Sequence, residues 1–266
     1  MADTGTFTNS STDASLTESD TISFKGTYVI APRMPVALTM LDISKDEDIT
    51  ISARVDGITT SQFTIHTDSW GKTKRHGTGA SWIVLAPYNL EYQNGEVTFA
   101  PKGEAEMTSA IQFAYPFATP PRVEAFLNGL EMGKDKGWHV LANATDVTTT
   151  GFNLNLKSWA DTNLVAAKVA WVAFPADRPN VYGNNAGTGY KPSTRNQSGT
   201  VSFGSTFSKV PKVFYGFKSI SFGNDGDLKV EVSVDNVKET GFTWHLDAME
   251  NGGTFYSAAL SFICFV

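Results

Sequence analysis

Apolar and polar residues alternate with period two wherever this chain is strongly patterned. Leu228, Val230, Val232 and Val234 alternate with Lys229, Glu231, Ser233 and Asp235, and Phe242, Trp244 and Leu246 alternate with Thr243 and His245. The same beat runs through Ile49, Ile51, Ala53 and Val55, through Phe63 and Ile65, and through Phe152, Leu154 and Leu156. Such alternation marks strands with one buried face. No capped segment of about twelve residues carries helical periodicity, so the pattern predicts an all-β chain. Roughly six strands per repeating unit are expected, packed as small antiparallel sandwiches.

The strands recur as units. Phe113, the Pro120-Pro121-Arg122-Val123 corner, the Gly151-Phe152 pair, Trp159 and Trp171 reappear as Phe203, Val210-Pro211-Lys212-Val213, Gly241-Phe242, Met249 and Phe262. Phe113 to Phe203, Pro121 to Pro211 and Phe152 to Phe242 are each 90 residues apart. A divergent first copy reads Phe24, Met34-Pro35-Val36, Phe63, Trp70 and Trp82, 89 residues behind the second except at Pro35, where the offset is 86. That exception predicts a three-residue shortening between Pro35 and Phe63, absorbed by a surface loop. A fixed internal period argues for tandem small domains. The expected division is a flexible or loosely docked tail over 1–20, repeat 1 over 21–87, a linker over 88–107, repeat 2 over 108–176, a linker over 177–198 and repeat 3 over 199–266. Pro179, Gly183, Gly187, Gly189 and Pro192 predict an irregular, extended second linker, while Val97-Thr98-Phe99 in the first predicts an edge strand.

Charge and cysteine content narrow the functional classes. A formal net charge of −6 without a Lys/Arg cluster argues against nucleic acid as a partner. No apolar run is long enough to insert into a membrane. The first twenty residues, rich in Ser, Thr and Asp, have neither a basic nor an apolar signal region, which leaves cytoplasmic residence and unconventional export both open. Cys264 lies in the apolar run Phe262-Ile263-Cys264-Phe265-Val266 and is expected to be a buried thiol. The sequons at Asn9, Asn143 and Asn196 are read as chance without a signal segment. The four histidines are scattered, no Cys/His pair has metal-ligand spacing and no Gly-x-Ser-x-Gly elbow occurs, so no enzyme activity, catalytic residue, metal or cofactor is assigned. Asp46, Glu47 and Asp48 read as a solvated loop.

Aromatic positions offer a different chemistry. A sugar presents a face of C–H groups and a rim of hydroxyls, which suits an exposed aromatic plate beside a few fixed polar groups. Trp70 and Trp159 each follow a marker phenylalanine by seven residues, an odd offset that takes them off the core face. They are either sugar plates or covers for the sandwich rim; Trp82 and Trp171 are expected in the core. Asp161 and Thr162 are hydroxyl partners or members of an Asx-type turn. His139 and Lys229 alternate against apolar neighbours and should point outward, toward a sugar or toward solvent. His66, Asn155 and His245 share one register and are either a polar layer between domains or simply exposed.

The run Gly151-Phe152-Asn153-Leu154-Asn155-Leu156-Lys157-Ser158-Trp159-Ala160-Asp161-Thr162, followed by Val169-Ala170-Trp171-Val172-Ala173, resembles the H-type lectin domain. So do Ile22-Ser23-Phe24, Pro35-Val36-Ala37-Leu38 and Leu41-Asp42-Ile43 of the first copy; the third copy is less similar. Members of that family are six-stranded sandwiches that assemble as trimers and bind N-acetylgalactosamine or galactose between adjacent subunits. The resemblance implies a pseudo-trimer within one polypeptide, monomeric and directed at glycans. It also implies site positions. The family's Arg position holds Thr50, His139 and Lys229; its Trp position holds Trp70, Trp159 and Met249; its His position holds Gly71, Ala160 and Glu250; its Tyr position holds His76, Val165 and Tyr256. The neighbouring-subunit acidic contact falls near Asp13. No copy keeps the whole set, which implies unequal sites. The candidate ligand-binding residues are Trp159, Asp161, His139, Trp70, His76, Lys229 and Tyr256. The leading expectation is a non-catalytic lectin, ahead of a scaffold that has lost sugar binding and of a glycan-processing enzyme, for which only Asp161 adjoins a Trp.

Overall fold

The computed structural model describes residues 3–10, 17–190 and 194–266, and every regular element among them is a strand. Each copy contributes six. The first supplies β1 (Asp3–Asn9), β2 (Thr17–Ser23), β3 (Val36–Ile43), β4 (Ile49–Asp56), β5 (Gln62–Asp68) and β6 (Arg75–Val84). The second supplies β7 (Gln93–Phe99), β8 (Glu106–Gln112), β9 (Arg122–Met132), β10 (Trp138–Thr145), β11 (Gly151–Ser158) and β12 (Leu164–Phe174). The third supplies β13 (Val181–Gly187), β14 (Asn196–Ser202), β15 (Lys212–Phe222), β16 (Leu228–Lys238), β17 (Gly241–Ala248) and β18 (Phe255–Phe265).

No sheet belongs to one copy. The three six-stranded sheets run β1-β6-β3-β16-β17-β14, β13-β18-β15-β10-β11-β8 and β2-β5-β4-β9-β12-β7, so each joins a three-stranded half of one copy to a half of another. The joins are antiparallel and short. Ile49–Ser52 pair with Met132–Gly129 between copies 1 and 2, Trp138–Leu141 with Phe222–Ser219 between copies 2 and 3, and Leu228–Glu231 with Ile43–Met40 between copies 3 and 1. We call these seams 1, 2 and 3. Three equivalent seams close the chain into a pseudo-threefold ring, and each seam turns what would be two open sheet edges into a paired ladder.

The marker aromatics of the repeat are the centres of the three sandwiches. Phe24, Phe63 and Trp82 have ring centroids 5.3 and 5.1 Å apart, Phe113, Phe152 and Trp171 5.6 and 5.2 Å, and Phe203, Phe242 and Phe262 6.1 and 4.8 Å. Trp82 and Trp171 are each 6% exposed, as the sequence predicts. A second apolar cluster lies where the copies converge and holds Ile83, Val172 and Ile263 together with Ala37, Phe126 and Phe214. Phe126 and Phe214 meet at 4.6 Å. Beside them a Cβ on Gly216 would come within 2.3 Å of the Ala37 Cβ, so that contact between copies 1 and 3 requires glycine.

Several expectations are corrected. Residues 3–9, predicted as tail, form β1, paired along its length with β6. The second linker is not irregular: Val181–Gly187 is β13, paired with β18, because Gly183 and Gly187 leave room for the Phe174 ring and the Ala258–Ala259 backbone. The edge strand expected at Val97-Thr98-Phe99 is present as part of β7, paired with β12. There is no shortening after Pro35. Arg33 pairs with Leu85, Arg122 with Phe174 and Lys212 with Phe265, so Pro32-Arg33 is the counterpart of Pro121-Arg122 and Pro211-Lys212, and Pro35 is an additional proline. Cys264 is fully buried, and burial pushes its thiol pKa up. His66, Asn155 and His245 do not form a layer between copies. Each bonds within its own copy, to Asp56, Thr145 and Asp235 respectively.

Candidate functional site

The seams bring the sequence-predicted site residues together, and they do so across copies. Position by position, Thr50 pairs with Glu131, His139 with Ser221 and Lys229 with Asp42. Strand-start residues of the adjacent copy complete each group. Leu164 opposite Met132 brings Val165 to seam 1, Phe255 opposite Phe222 brings Tyr256 to seam 2, and Arg75 opposite Ile43 brings His76 to seam 3. His76 is therefore not a neighbour of Thr50 and Trp70, with which a copy-by-copy count had grouped it.

Seam 1 is an open cleft of about 250 Å³, lined among others by Thr50, Trp70, Gly71, Glu131, Asn163 and Val165. Trp70 is 39% exposed. Its backbone is fixed by Thr50, whose hydroxyl accepts from the Trp70 N–H at 2.8 Å and donates to the Trp70 carbonyl at 2.7 Å. Thr73 extends the clamp: its hydroxyl accepts from the Thr50 N–H at 3.0 Å and donates to the Asp48 carbonyl at 2.7 Å. Thr50 thus fixes the Trp70 backbone, and Glu47, Lys72, Glu131 and Asn163 are among the polar groups that line the same cleft. Across the cleft the Lys134 N–H donates to Asp48 Oδ1 at 3.0 Å and Lys134 Nζ reaches Glu47 at 3.6 Å, locking the loops of copies 1 and 2.

Seam 2 is filled by its own rings. His139 stacks on Trp159 at 5.5 Å and faces Tyr256 of copy 3 at 5.8 Å, and Tyr256 is covered in turn by Tyr190 at 5.7 Å with an interplanar angle of 6°. His139 does not point outward. It is 7% exposed, because copy 3 covers the face that strand alternation would leave to solvent, and its Nδ1 shares a 2.8 Å hydrogen bond with the Ser221 hydroxyl. Burial lowers the His139 pKa, against an opposing pull from Asp161, and so favours the neutral ring. Asp161 is exposed; its carboxylate accepts from the Gly137 N–H at 3.4 Å and pairs with Lys136 at 3.6 Å, bracing the loop before β10.

Seam 3 has no tryptophan. Lys229, only 18% exposed at its side chain, pairs with Asp42 at 3.4 Å and Asp227 at 3.9 Å rather than reaching solvent. Met249 lies at the Trp position with its carbonyl held by Arg195 at 2.7 Å. His76 is exposed at the start of β6. Asp13 lies outside the described residues. No cluster of three metal-ligating side chains occurs among the described residues, and no helix is long and apolar enough to cross a membrane.

Equivalent inter-copy seams, each built from the ends of the same strands, recur three times, and comparison with known families agrees with that repeat. The sequence model of the H-type lectin domain matches residues 19–85, 108–174 and 198–265. The chain belongs to the H-type lectin family. A comparison with curated proteins finds no match. This H-type lectin is a carbohydrate-binding protein on that membership, which speaks for binding over catalysis. Its seam partners Glu131, Ser221 and Asp42, and the stacking Tyr190, went unseen in the sequence. The only signal for the first three is their place opposite the Arg position in a ladder that joins different copies.

Proposed function

We propose that this chain is a non-catalytic lectin for galactose- or N-acetylgalactosamine-type glycans, with three unequal inter-copy positions of which seam 1 is the principal site. The half-exposed Trp70 indole beside the Glu131 carboxylate and the Asn163 amide supports this reading. The indole stacks on the C–H face of the sugar, Glu131 accepts hydrogen bonds from hydroxyls and Asn163 donates and accepts. No arginine is needed where a carboxylate accepts hydrogen bonds from two hydroxyls. At seam 2, Trp159, with Asp161 beside it, offers a second plate backed by His139, with Tyr256 of copy 3 next to it. At seam 3, His76 is the exposed polar group and there is no plate, Lys229 being held by Asp42. The ring is complete within one polypeptide, which supports a monomer carrying several sites and gaining avidity from their proximity.

The test is retention of the intact protein on a galactose or N-acetylgalactosamine matrix. Trp70→Ala should reduce retention at least about tenfold, by loss of stacking, and Trp159→Ala should have the smaller effect. Unchanged retention in both folded variants would remove the reading. A scaffold role that has lost sugar binding is favoured at seam 3 alone, where the Lys229–Asp42 ion pair occupies the cleft and no aromatic plate remains.

A further inference from the structure

A second cleft lies at the far end of seam 2. The ladder between β10 and β15 ends at Leu141 and Ser219, and there β15 bulges, leaving Lys218 as the residue without a partner on β18. A bulge re-aims its side chain. Beyond it the strands diverge around a cavity of about 260 Å³ lined by Arg122, Glu124, Asn143, Asn185 and Lys218 with little apolar surface.

The bulge occurs in all three copies but holds different chemistry. Its residues are Thr39, Asn128 and Lys218, one in each copy. At seam 1 the bulge residue Asn128 is fully buried and its amide donates to Glu96 of β7. Lys218 and Asn185, their counterparts at seam 2, make no such bond; the Glu124 carboxylate acts on Lys218 electrostatically, but among the described residues it forms its ion pair with Arg122. The one carboxylate in the cavity is already engaged: Glu124 is 2% exposed and bonded to Arg122, which also donates to Asn184 at 2.9 Å. Besides Glu124, the cavity lining offers an ammonium, a guanidinium and two side-chain amides.

We propose that this cleft binds an anionic saccharide, one bearing a carboxylate or a sulfate, with Lys218 as its counter-ion and Asn143 and Asn185 as its hydrogen-bonding partners. The saccharide part of this assignment rests on the lectin reading; the anion part rests on the cleft alone. The cavity has the capacity for a monosaccharide-sized ligand, and the bulge cation distinguishes seam 2 from the equivalent positions at seams 1 and 3. On a chain of net charge −6, a cationic cavity stands out as the local exception.

The experiment measures affinity of the full chain for methyl glucuronide, a sulfated galactoside, inorganic sulfate and neutral methyl galactoside, by ligand-observed NMR or calorimetry. Binding of the glucuronide or the sulfated sugar, weakened at least about tenfold by Lys218→Met and kept by Lys218→Arg, is the expected result. Which of the two binds identifies the group recognised. Trp70→Ala should leave that binding intact while reducing neutral-galactoside binding, so the two sites fail separately. Equal affinity of Lys218→Met and the parent would overturn the proposal, as would absence of binding to every anion by the folded parent. Inorganic sulfate binding as tightly as either sugar would reduce the site to a simple anion hole and overturn the saccharide assignment. Lys218→Gln guards against misfolding of the methionine variant and should lose binding equally.

Discussion

At the scale of single residues, the seams are decided by small chemical differences at equivalent positions. The turn after the Trp position requires a left-handed backbone: Gly71 has φ +68° and Ala160, its counterpart, φ +56°. Glycine takes that conformation freely, whereas alanine pays a steric cost. Ala160→Gly should therefore stabilise the protein by up to about 1 kcal/mol, read as a higher denaturation midpoint at constant slope; a lower midpoint would show that chain entropy outweighs the strain. Thr50 shows the opposite economy. The short hydroxyl in the Arg position is engaged in clamping the backbone of the tryptophan beside it. That role was not legible in the sequence, where Thr50 reads only as an absent arginine.

At the scale of strands, the sequence was a good guide to faces and a poor one to neighbours. Alternation identified β11, β16 and β17, because each packs one face on a sandwich core and its side chains repeat every second residue, and it identified β4 although copy 2 also buries that strand's Thr50 and Ser52. It misjudged β10, where His139 lies between two buried residues: copy 3 covers the second face, and nothing within copy 2 signals that. It also lost β1 and β13, which are short, polar or glycine-containing edge strands held mainly by backbone pairing to β6 and β18. Glycine in such a strand carries information of its own. A Cβ on Gly95 would stand 2.8 Å from the Trp171 indole, so the strand must be bare there for β7 to pair with β12. Gly95→Val should cost about 1–3 kcal/mol and shift Trp171 fluorescence; wild-type stability would mean that β7 contributes little to the fold.

At the scale of the molecule, three copies share one structure. The larger apolar cluster contains residues from all three, the seams pair their sheets, and Phe126 fills the centre beside the small residues Ala37 and Gly216. A copy taken alone would expose its seam strands as open edges together with its part of that centre. The chain should unfold in one calorimetric transition, and Phe126→Ala should lower stability by about 3–5 kcal/mol while keeping the transition single. Separate transitions for the three copies would contradict this account. The repeat was plain in the sequence; its closure into a ring was not, since the ladders that close it join residues of different copies. That closure also changes what inheritance can do. In a symmetric trimer every substitution is made three times, and no binding position can drift without the others. Here each seam is spelled by its own stretch of gene, so one can keep an ancestral ligand while its neighbours explore new ones, held to the same surface by the seam that has not changed.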